Sequence, residues 1–273
     1  MIPRHGALIL GGILILLIAG AALLSLVWTP HVATEISVSA RFRPISWENW
    51  LGTDQYGRDI FSLLMVGAQS SMIVALLSVG AGGLLGIAAG LLASAYGNWI
   101  EELIMRLADF SFAFPALLFA IMLASIYGPS LTNAVVAIAF INLPFFARIT
   151  RAAANSIWQR DYVTAARAAG HGRFYITRHH VLPNITAELV VQATIQFALA
   201  ILIEAALSYL GIGIQPPTPS WGRMLAEAQT MLFRAPELAI YPGLAIVIAV
   251  LGFNLLGDGI RDITDPRLKR RRA

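Results

Sequence analysis

The feature that most constrains this chain is a series of six long apolar stretches. A helix that crosses a membrane needs about 20 mostly apolar residues, because the hydrocarbon core is roughly 30 Å thick and each helical residue rises about 1.5 Å. We predict spanning helices at residues 7–28, 71–96, 112–127, 133–149, 189–212 and 238–256, of which the third is the shortest. The pattern therefore predicts an all-α integral membrane protein.

The composition narrows the class of protein further. Hydrophobic residues make up 58% of the 273 residues and charged residues only 12%, whereas soluble domains carry about a quarter charged residues. Soluble globular and disordered proteins are therefore excluded. The first apolar stretch is longer than the roughly 7–15 apolar residues of a secretory signal peptide, so we expect a retained helix.

Several residue types and motifs that catalysis or ligand binding would need are missing from the sequence. There is no cysteine, which excludes disulfides and thiolate ligands. The one lysine is Lys269, so the chain lacks the Gly-Lys-Ser/Thr of a phosphate-binding P-loop. No nucleophile, base or metal-ligand set converges in the sequence, and we predict no catalytic residue, metal or cofactor. If ATP drives this protein, another chain binds it.

The distribution of basic residues predicts the orientation in the membrane. With six spans, both termini lie on one side. Placing them inside assigns 14 of the 19 basic residues to inner segments and 5 to outer segments, in agreement with the excess of Lys and Arg in cytoplasmic loops. The basic tail at residues 267–272 fits this signal, reinforced by anionic membrane lipid, and we predict no binding of nucleic acid.

Few ionisable side chains fall inside the predicted spans. Glu204 is the main exception, and we interpret it as a hydrogen-bonding group in preference to a substrate contact. A proton- or sodium-coupled carrier usually needs such groups near the midplane, so their scarcity argues against one. In the second span, Gly82, Gly86 and Gly90 recur every four residues and predict a face for close helix packing.

The inner loop at about residues 151–188 is too long for a simple connector. Asp161 is a candidate N-cap, good helix formers follow it, and Gly170 suits the position just after a helix. A second short helix is predicted from Arg173 to about Val181, ending near Pro183 because proline interrupts helices.

On its chemistry alone, this inner loop has two possible roles. Its first helix offers a low surface of alanines from which only Arg167 projects, and a groove in another protein could approach such a surface. The second helix carries Phe174 beside Arg178, His179 and His180, a mixture that also suits the membrane surface. We predict no metal at these histidines, because neighbouring positions point about 100° apart on a helix and no acidic residue or cysteine completes a ligand set.

Five segments of the chain together resemble one family. Residues 161–170, followed by residues 180–183, resemble the EAA motif of permease subunits of ABC importers. More narrowly, the chain is similar to the C-type subunit of the dipeptide/oligopeptide/nickel permease family. The one departure is Thr164, which replaces the first glutamate of the motif, so no salt bridge is assigned to it. The other four segments are residues 51–59, 105–115, 207–222 and 257–267.

The resemblance implies a type I importer core, formed by the second to sixth spans, with cytoplasmic coupling helices. It implies a second, B-type permease, two cytoplasmic ATPase subunits and an external solute-binding protein as partners, in a bacterial inner membrane. The residues that it assigns to the ATPase-coupling loop are Asp161, Thr164, Ala165, Ala166, Arg167, Gly170, His180, Leu182 and Pro183.

Two outer segments also carry motifs. In the first, glycine permits a turn that carboxylates and an arginine fix by hydrogen bonds, and we interpret it as structural in preference to a contact with the delivery protein. In the second, residues 215–223, three prolines stiffen the chain and Trp221 is expected to anchor it at the membrane interface. The residues of the first motif are Gly52, Thr53, Asp54, Gly57, Arg58 and Asp59.

We divide the chain into an N-terminal spanning helix with an external loop (1–65), an importer transmembrane domain (66–260) and a basic cytoplasmic tail (261–273). The leading hypothesis is a permease subunit that forms half of a pathway for di- or oligopeptides and performs no covalent chemistry. Within that class, the alternative solutes are nickel, an opine or a glycoside. A stand-alone secondary transporter and a membrane enzyme are the alternatives from other classes.

Overall fold

The structure is a computed structural model that describes residues 4–264. The predicted basic tail at residues 267–272 lies outside these residues. The described residues fold into α-helices without β-strands. In chain order the helices are α1 (Arg4–Leu24), α2 (Ile60–Tyr96), α3 (Asn98–Ala113), α4 (Ala116–Tyr127), α5 (Leu131–Trp158), α6 (Asp161–Ala168), α7 (Arg173–Ile176), α8 (Leu182–Tyr209), α9 (Trp221–Ala228) and α10 (Glu237–Thr264).

Most of these helices suit a membrane. Five segments are individually long and apolar enough to cross one, namely α1, α2, α5, α10 and the continuous helix from α7 through α8. The bent pair α3 and α4 supplies a sixth span when it is counted as one. The predicted all-α, multi-pass membrane fold is therefore confirmed.

The second span begins earlier than predicted, at Ile60 instead of Ser71. Asp59 caps the helix, and its Oδ2 accepts a hydrogen bond from the Ser62 N–H at 2.8 Å. The cap fixes the start of the helix at Ile60, because the Asp59 side chain satisfies one of the first free N–H groups. The predicted domain boundary after residue 65 consequently falls inside α2.

The predicted third span at residues 112–127 is wrong as one continuous helix. It crosses the break between α3 and α4, where the two helix axes differ by 81°. Phe114 is extended, with φ −89° and ψ 119°, and Pro115 follows it. Proline disfavours helical geometry in the residue before it. The 12 residues of α4 extend only about 18 Å, less than the hydrocarbon core requires.

The buried apolar residues form two clusters. The larger lies among α2, α5, α8 and α10 and, in the orientation predicted from the basic residues, occupies the middle and outer part of the bundle. The smaller, which we call the inner core, joins the end of α5 to α6, α7 and the start of α8. Its buried members are Ala153, Ala154, Trp158, Val163, Ile176, Val181, Ile185 and Leu189.

The short helix α9 lies inside the bundle at its outer end. The expectation that Trp221 anchors at the membrane interface is wrong, because this side chain is 2% exposed. Its indole Nε1 donates to the Leu64 carbonyl oxygen of α2 at 3.1 Å. The hydrogen-bonding group of the ring is thus satisfied by protein instead of interfacial water.

Candidate coupling surface and outer-face motif

The first half of the coupling loop is the eight-residue helix α6. Asp161 is its first residue, and the N-cap is Arg160 without a side-chain hydrogen bond, so the predicted cap at Asp161 is wrong by one position. Gly170 has φ +86° after the helix. Its N–H donates to the Arg167 carbonyl at 2.9 Å, and the following N–H donates to the Ala166 carbonyl at 3.1 Å. This pair of bonds is a Schellman motif, which stops the helix sharply.

One side of α6 packs on the inner core and the other is free. Val163 is fully buried in the inner core and Ala166 packs partly against it. The Arg167 guanidinium lies 5.0 Å from the centre of the Trp158 ring, so it folds back on the protein. Asp161 and Tyr162 are exposed in the first turn of α6. The exposed side chains that follow them, apart from Arg167, are small, and they form what we call the alanine face. Its members are Thr164, Ala165, Ala168 and Ala169.

The second half of the loop is continuous with the next span. Residues 173–209 form one helix, so the predicted end near Pro183 is wrong. A π turn at Thr177–Val181 explains the difference. The Leu182 N–H donates to the Thr177 carbonyl, five residues earlier. The extra residue of this turn lies directly before Pro183, which is among the first residues of α8.

The π turn also brings the second part of the motif against α6. The Tyr162 and His180 rings lie 6.1 Å apart between centroids. Tyr175 stacks between His171 and His179, with both centroid distances 4.2 Å. The residues predicted for the coupling loop therefore form one unit built on the inner core, which we call the coupling unit.

The outer-face motif, residues 52–59, forms a tight turn just before α2. Gly52 and Gly57 have φ values of +76° and +80°. Asp54 Oδ1 accepts from the N–H groups of residues 56 and 58 at 2.8 and 2.9 Å. Thr53 Oγ1 accepts from a backbone N–H at 2.8 Å and donates to the Ala40 carbonyl. Asp59 accepts from Asn49 at 2.9 Å besides capping α2. Each polar side chain of the motif thus has a structural contact.

Arg58 connects this turn to α9 through a partner that sequence reasoning missed. Its guanidinium binds Asp54 Oδ2 at 2.6 Å and Glu227 Oε2 at 2.5 Å. Burial lowers the pKa of Arg58, but the charges of the two carboxylates outweigh this and hold it above its usual value. Arg223 also binds Glu227, at 3.1 Å. The only sequence signal for Glu227 is its spacing of four residues from Arg223.

The glycines of α2 lie at its contact with α5. A Cβ placed on Gly82, Gly86 or Gly90 would overlap the carbonyl oxygens of Ala139, Leu143 or Ala147 in turn. Successive contacts are four residues, or about one turn, apart on both helices. Only glycine permits this approach of the two backbones.

A comparison with known protein families identifies the family of this chain. Residues 82–270 match the family described as the binding-protein-dependent transport system inner membrane component. The chain belongs to this family. The match includes the coupling loop and the three glycines of α2, whereas the outer-face motif at residues 52–59 precedes it.

Curated relatives of this permease carry related names. The dipeptide transport system permease protein of Alkalihalophilus pseudofirmus is 44% identical over 86% of this chain and 77% of its own length. The di/tripeptide transport system permease protein of Pseudomonas aeruginosa is 45% identical over 97% of this chain and 90% of its own length. A glutathione transport system permease protein of Pectobacterium atrosepticum is 43% identical over 81% of this chain and 73% of its own length.

A solved structure supports the fold of the permease. A chain of the methionine ABC transporter MetNI, in inward-facing conformations, superposes with a TM-score of 0.62. The superposition covers 74% of this chain and 97% of that chain at 21% sequence identity. The expected type I ABC importer permease is confirmed, and it is supported over a stand-alone secondary transporter. The protein is a multi-pass inner membrane protein.

Proposed function

We propose that this permease forms half of the pathway through which a bacterial ABC importer takes up di- and oligopeptides. The names of the relatives from A. pseudofirmus and P. aeruginosa specify dipeptides and tripeptides. The P. atrosepticum relative is named for glutathione, which is itself a tripeptide. A peptide is therefore the solute class that the similarity favours over nickel, an opine or a glycoside.

The alanine face of α6 is the surface that couples this permease to an ATPase. Its side chains are small and exposed, Arg167 is folded back on Trp158, and the Schellman motif at Gly170 turns the chain away. A groove of another protein can therefore approach the backbone of α6 closely. The flat, exposed form of this helix is the observation that carries the proposal.

The same proposal places ATP hydrolysis on separate cytoplasmic subunits. The sequence has one lysine, Lys269, and no P-loop around it. Two ATPase subunits, a second permease of the B type and an external solute-binding protein complete the importer. The excess of basic residues in the loop that holds α6 supports a cytoplasmic position for this loop and for both termini.

The first test is co-purification of the tagged permease from its native membrane in mild detergent. We expect a second permease and an ATPase subunit in stoichiometric amounts, identified by mass spectrometry. Recovery of this chain alone, with solute uptake that needs no ATP, would overturn the proposal. The loaded importer in vesicles then distinguishes the solutes, because di- and tripeptides should compete with each other and Ni²⁺ should not.

Ala165→Glu tests the alanine face directly. The position is exposed, so the change adds bulk and charge at the docking surface without disturbing the inner core. We expect the variant to insert normally but to lose the ATPase subunit and at least about 90% of uptake, since a buried unpaired charge costs several kcal/mol. Ala165→Ser keeps a small side chain at the same place and should behave as wild type. Equal ATPase recovery from both variants would exclude α6 as the docking surface.

A further inference from the structure

Glu204 is a buried acidic residue that neither motif uses. Among the described residues, the buried acidic side chains are Asp54 and Asp59 of the outer turn, together with Glu204. Glu204 differs from the other two because it lies inside the spanning helix α8 and is 0% exposed. Ionisable groups are costly inside membranes, and those that persist usually serve a function.

Three serine hydroxyls, one each from α2, α8 and the N-cap of α9, lie next to the carboxyl group of Glu204. Ser71 Oγ of α2 donates to Oε2 at 2.7 Å, and Ser208 Oγ of α8 donates to Oε1 at 2.7 Å. The hydroxyl of Ser220, the N-cap of α9, approaches the same carboxylate. All three serines are 0% exposed. One side chain therefore joins α2, α8 and α9 in the outer half of the bundle.

Two of these serines also accept hydrogen bonds from backbone N–H groups. Ser208 Oγ accepts from the Ile214 N–H at 3.1 Å, and Ser220 Oγ accepts from the Arg223 N–H at 3.3 Å. A hydroxyl has one proton and two lone pairs. Because the proton of Ser208 points to Glu204, its oxygen is free to accept the Ile214 N–H.

These two N–H groups mark the ends of the segment that we call the proline segment, residues 213–223. Packing leaves it little freedom at either end. A Cβ on Gly213 would overlap Ser208, and one on Gly222 would overlap the Ala205 backbone. One end of the segment is therefore connected to Glu204 through Ser208, and at the other end the Ser220 hydroxyl lies beside the same carboxyl group.

The middle of the proline segment is an outer surface. Pro216, Pro217 and Thr218 are exposed. They face Ile36 of the outer loop across a cleft of about 160 Å³, with Arg58 among its lining residues. The orientation of this surface follows from how its two ends are held.

We propose that Glu204 is a positioning residue that holds the proline segment in one conformation at the outer mouth of the permease, acting through Ser208 and Ser220. The inference rests on the proposed import function, because solute must enter at this mouth. Ser71 has a different role, since it connects Glu204 to α2 and not to the proline segment.

The arrangement needs an acceptor at both carboxylate oxygens. Glutamine has the same shape, but its NH₂ group is a donor. In Glu204→Gln one serine would meet this donor, so its own proton would lose its acceptor at residue 204 and would have to find another partner or stay buried without one. The variant therefore changes hydrogen bonding while keeping the packing volume.

The experiment uses the purified importer in lipid nanodiscs. The chain contains no cysteine, so Thr218→Cys gives a single spin-label site in this subunit on the exposed proline segment. A label at Trp47→Cys, in the outer loop where the side chain is 97% exposed, is the reference site. We expect Glu204→Gln to raise label mobility at 218 and not at 47. We also expect an increase of about tenfold in the KM of uptake, the effect of one lost buried hydrogen bond, with the maximal rate within about twofold.

Three serine variants provide a second test that can be used if the Glu204→Gln permease fails to assemble. Ser208→Ala and Ser220→Ala should each mobilise the label at 218, whereas Ser71→Ala should leave it as in wild type. If all three serine variants leave the label unchanged, Glu204 does not position the segment. The same conclusion follows if all three raise its mobility equally, because the effect would then be a general loss of packing.

The label and the uptake assay separate this inference from the proposed function. A wild-type importer without ATP-driven peptide uptake would overturn the proposed function, and the label at 218 would still report on Glu204. Normal wild-type uptake together with an unaltered label and KM in Glu204→Gln would overturn this inference alone.

Discussion

The outer and inner ends of the permease satisfy their buried polar groups differently. At the outer end, the carboxylates of Asp54, Asp59 and Glu204 are all buried and all accept hydrogen bonds. At the inner end, by contrast, the described part of the chain leaves Thr150 Oγ1, Trp158 Nε1 and Thr177 Oγ1 buried without a partner. Polar groups without partners are rare in native structures, so the two ends differ in how completely their buried groups are paired.

The backbone shows the same contrast. The proline segment at the outer end is tied at both ends, whereas the coupling unit at the inner end connects to α8 through a π turn. Such turns often occur at functional sites. An unpaired buried donor costs about 1–3 kcal/mol, so the inner end gains stability if a movement provides partners. From this comparison we expect a rigid outer end and an inner end that changes conformation.

The largest expected effect comes from filling the contact of α9 with α8. A Cβ on Gly222 would overlap the Ala205 backbone, which cannot move aside as a side chain can. We expect Gly222→Ala to destabilise the purified permease by about 3 kcal/mol, measured by thermal unfolding in detergent. Gly243 in α10 has no atom within 4 Å of its Cβ position, so Gly243→Ala is the control and should not destabilise. A tolerated Gly222→Ala would mean that the outer end is not rigid.

A smaller effect is expected from Arg58→Ala. The side chains of Arg58 and Glu227 are 15% and 16% exposed, and breaking a buried ion pair leaves the remaining charge without its partner. Because Glu227 keeps Arg223, we expect a loss of about 2 kcal/mol in the same unfolding assay. The inner pair of Arg106 with Glu102 is 77% and 61% exposed, so Arg106→Ala should change stability by less than about 0.5 kcal/mol. Equal losses of stability in Arg58→Ala and Arg106→Ala would contradict the proposed difference between the outer and inner ends.

The smallest effect has the opposite sign. Thr177→Val removes a buried hydroxyl that has no partner while keeping the branched shape, so we expect a gain of up to about 1 kcal/mol. Ser62→Ala at the outer end removes a hydroxyl that donates to Asp59 at 2.7 Å, and should cost about 1 kcal/mol. If the Thr177 hydroxyl finds a partner during transport, Thr177→Val should also slow uptake. A destabilised Thr177→Val would mean that this hydroxyl is already paired.

Patterns local in sequence predicted the membrane fold and much of the coupling loop. Apolar stretches located five of the spans, because hydrophobic length is the main requirement for crossing a lipid bilayer. Gly170 was expected just after α6, and it occupies that position with a positive φ. The motif residues from Asp161 to Pro183 lie in one unit, as the resemblance implied.

Features that depend on distant residues were missed or misjudged. Proline rules predicted a helix end at Pro183, but they do not include the extra residue of a π turn, which is held by packing on the inner core. Ser71 lies 133 residues from Glu204, and Arg58 lies 169 residues from Glu227. Nothing local to either residue of such a pair identifies the other. The hydrogen-bonding role of Glu204 was foreseen, but its partner on α2 was not.

The continuous helix of the coupling unit and α8 has a consequence for the size of movements in this permease. Glu204 fixes α8 at one end of the bundle, and the π turn ends at Val181, 23 residues before Glu204. At 1.5 Å per residue this separation is about 35 Å. A tilt of about 5° around the fixed point would therefore move the far end of α8 by about 3 Å. If α6 binds an ATPase as proposed, simple lever geometry couples displacements of atomic size at that contact to angles too small to disturb the packing around Glu204.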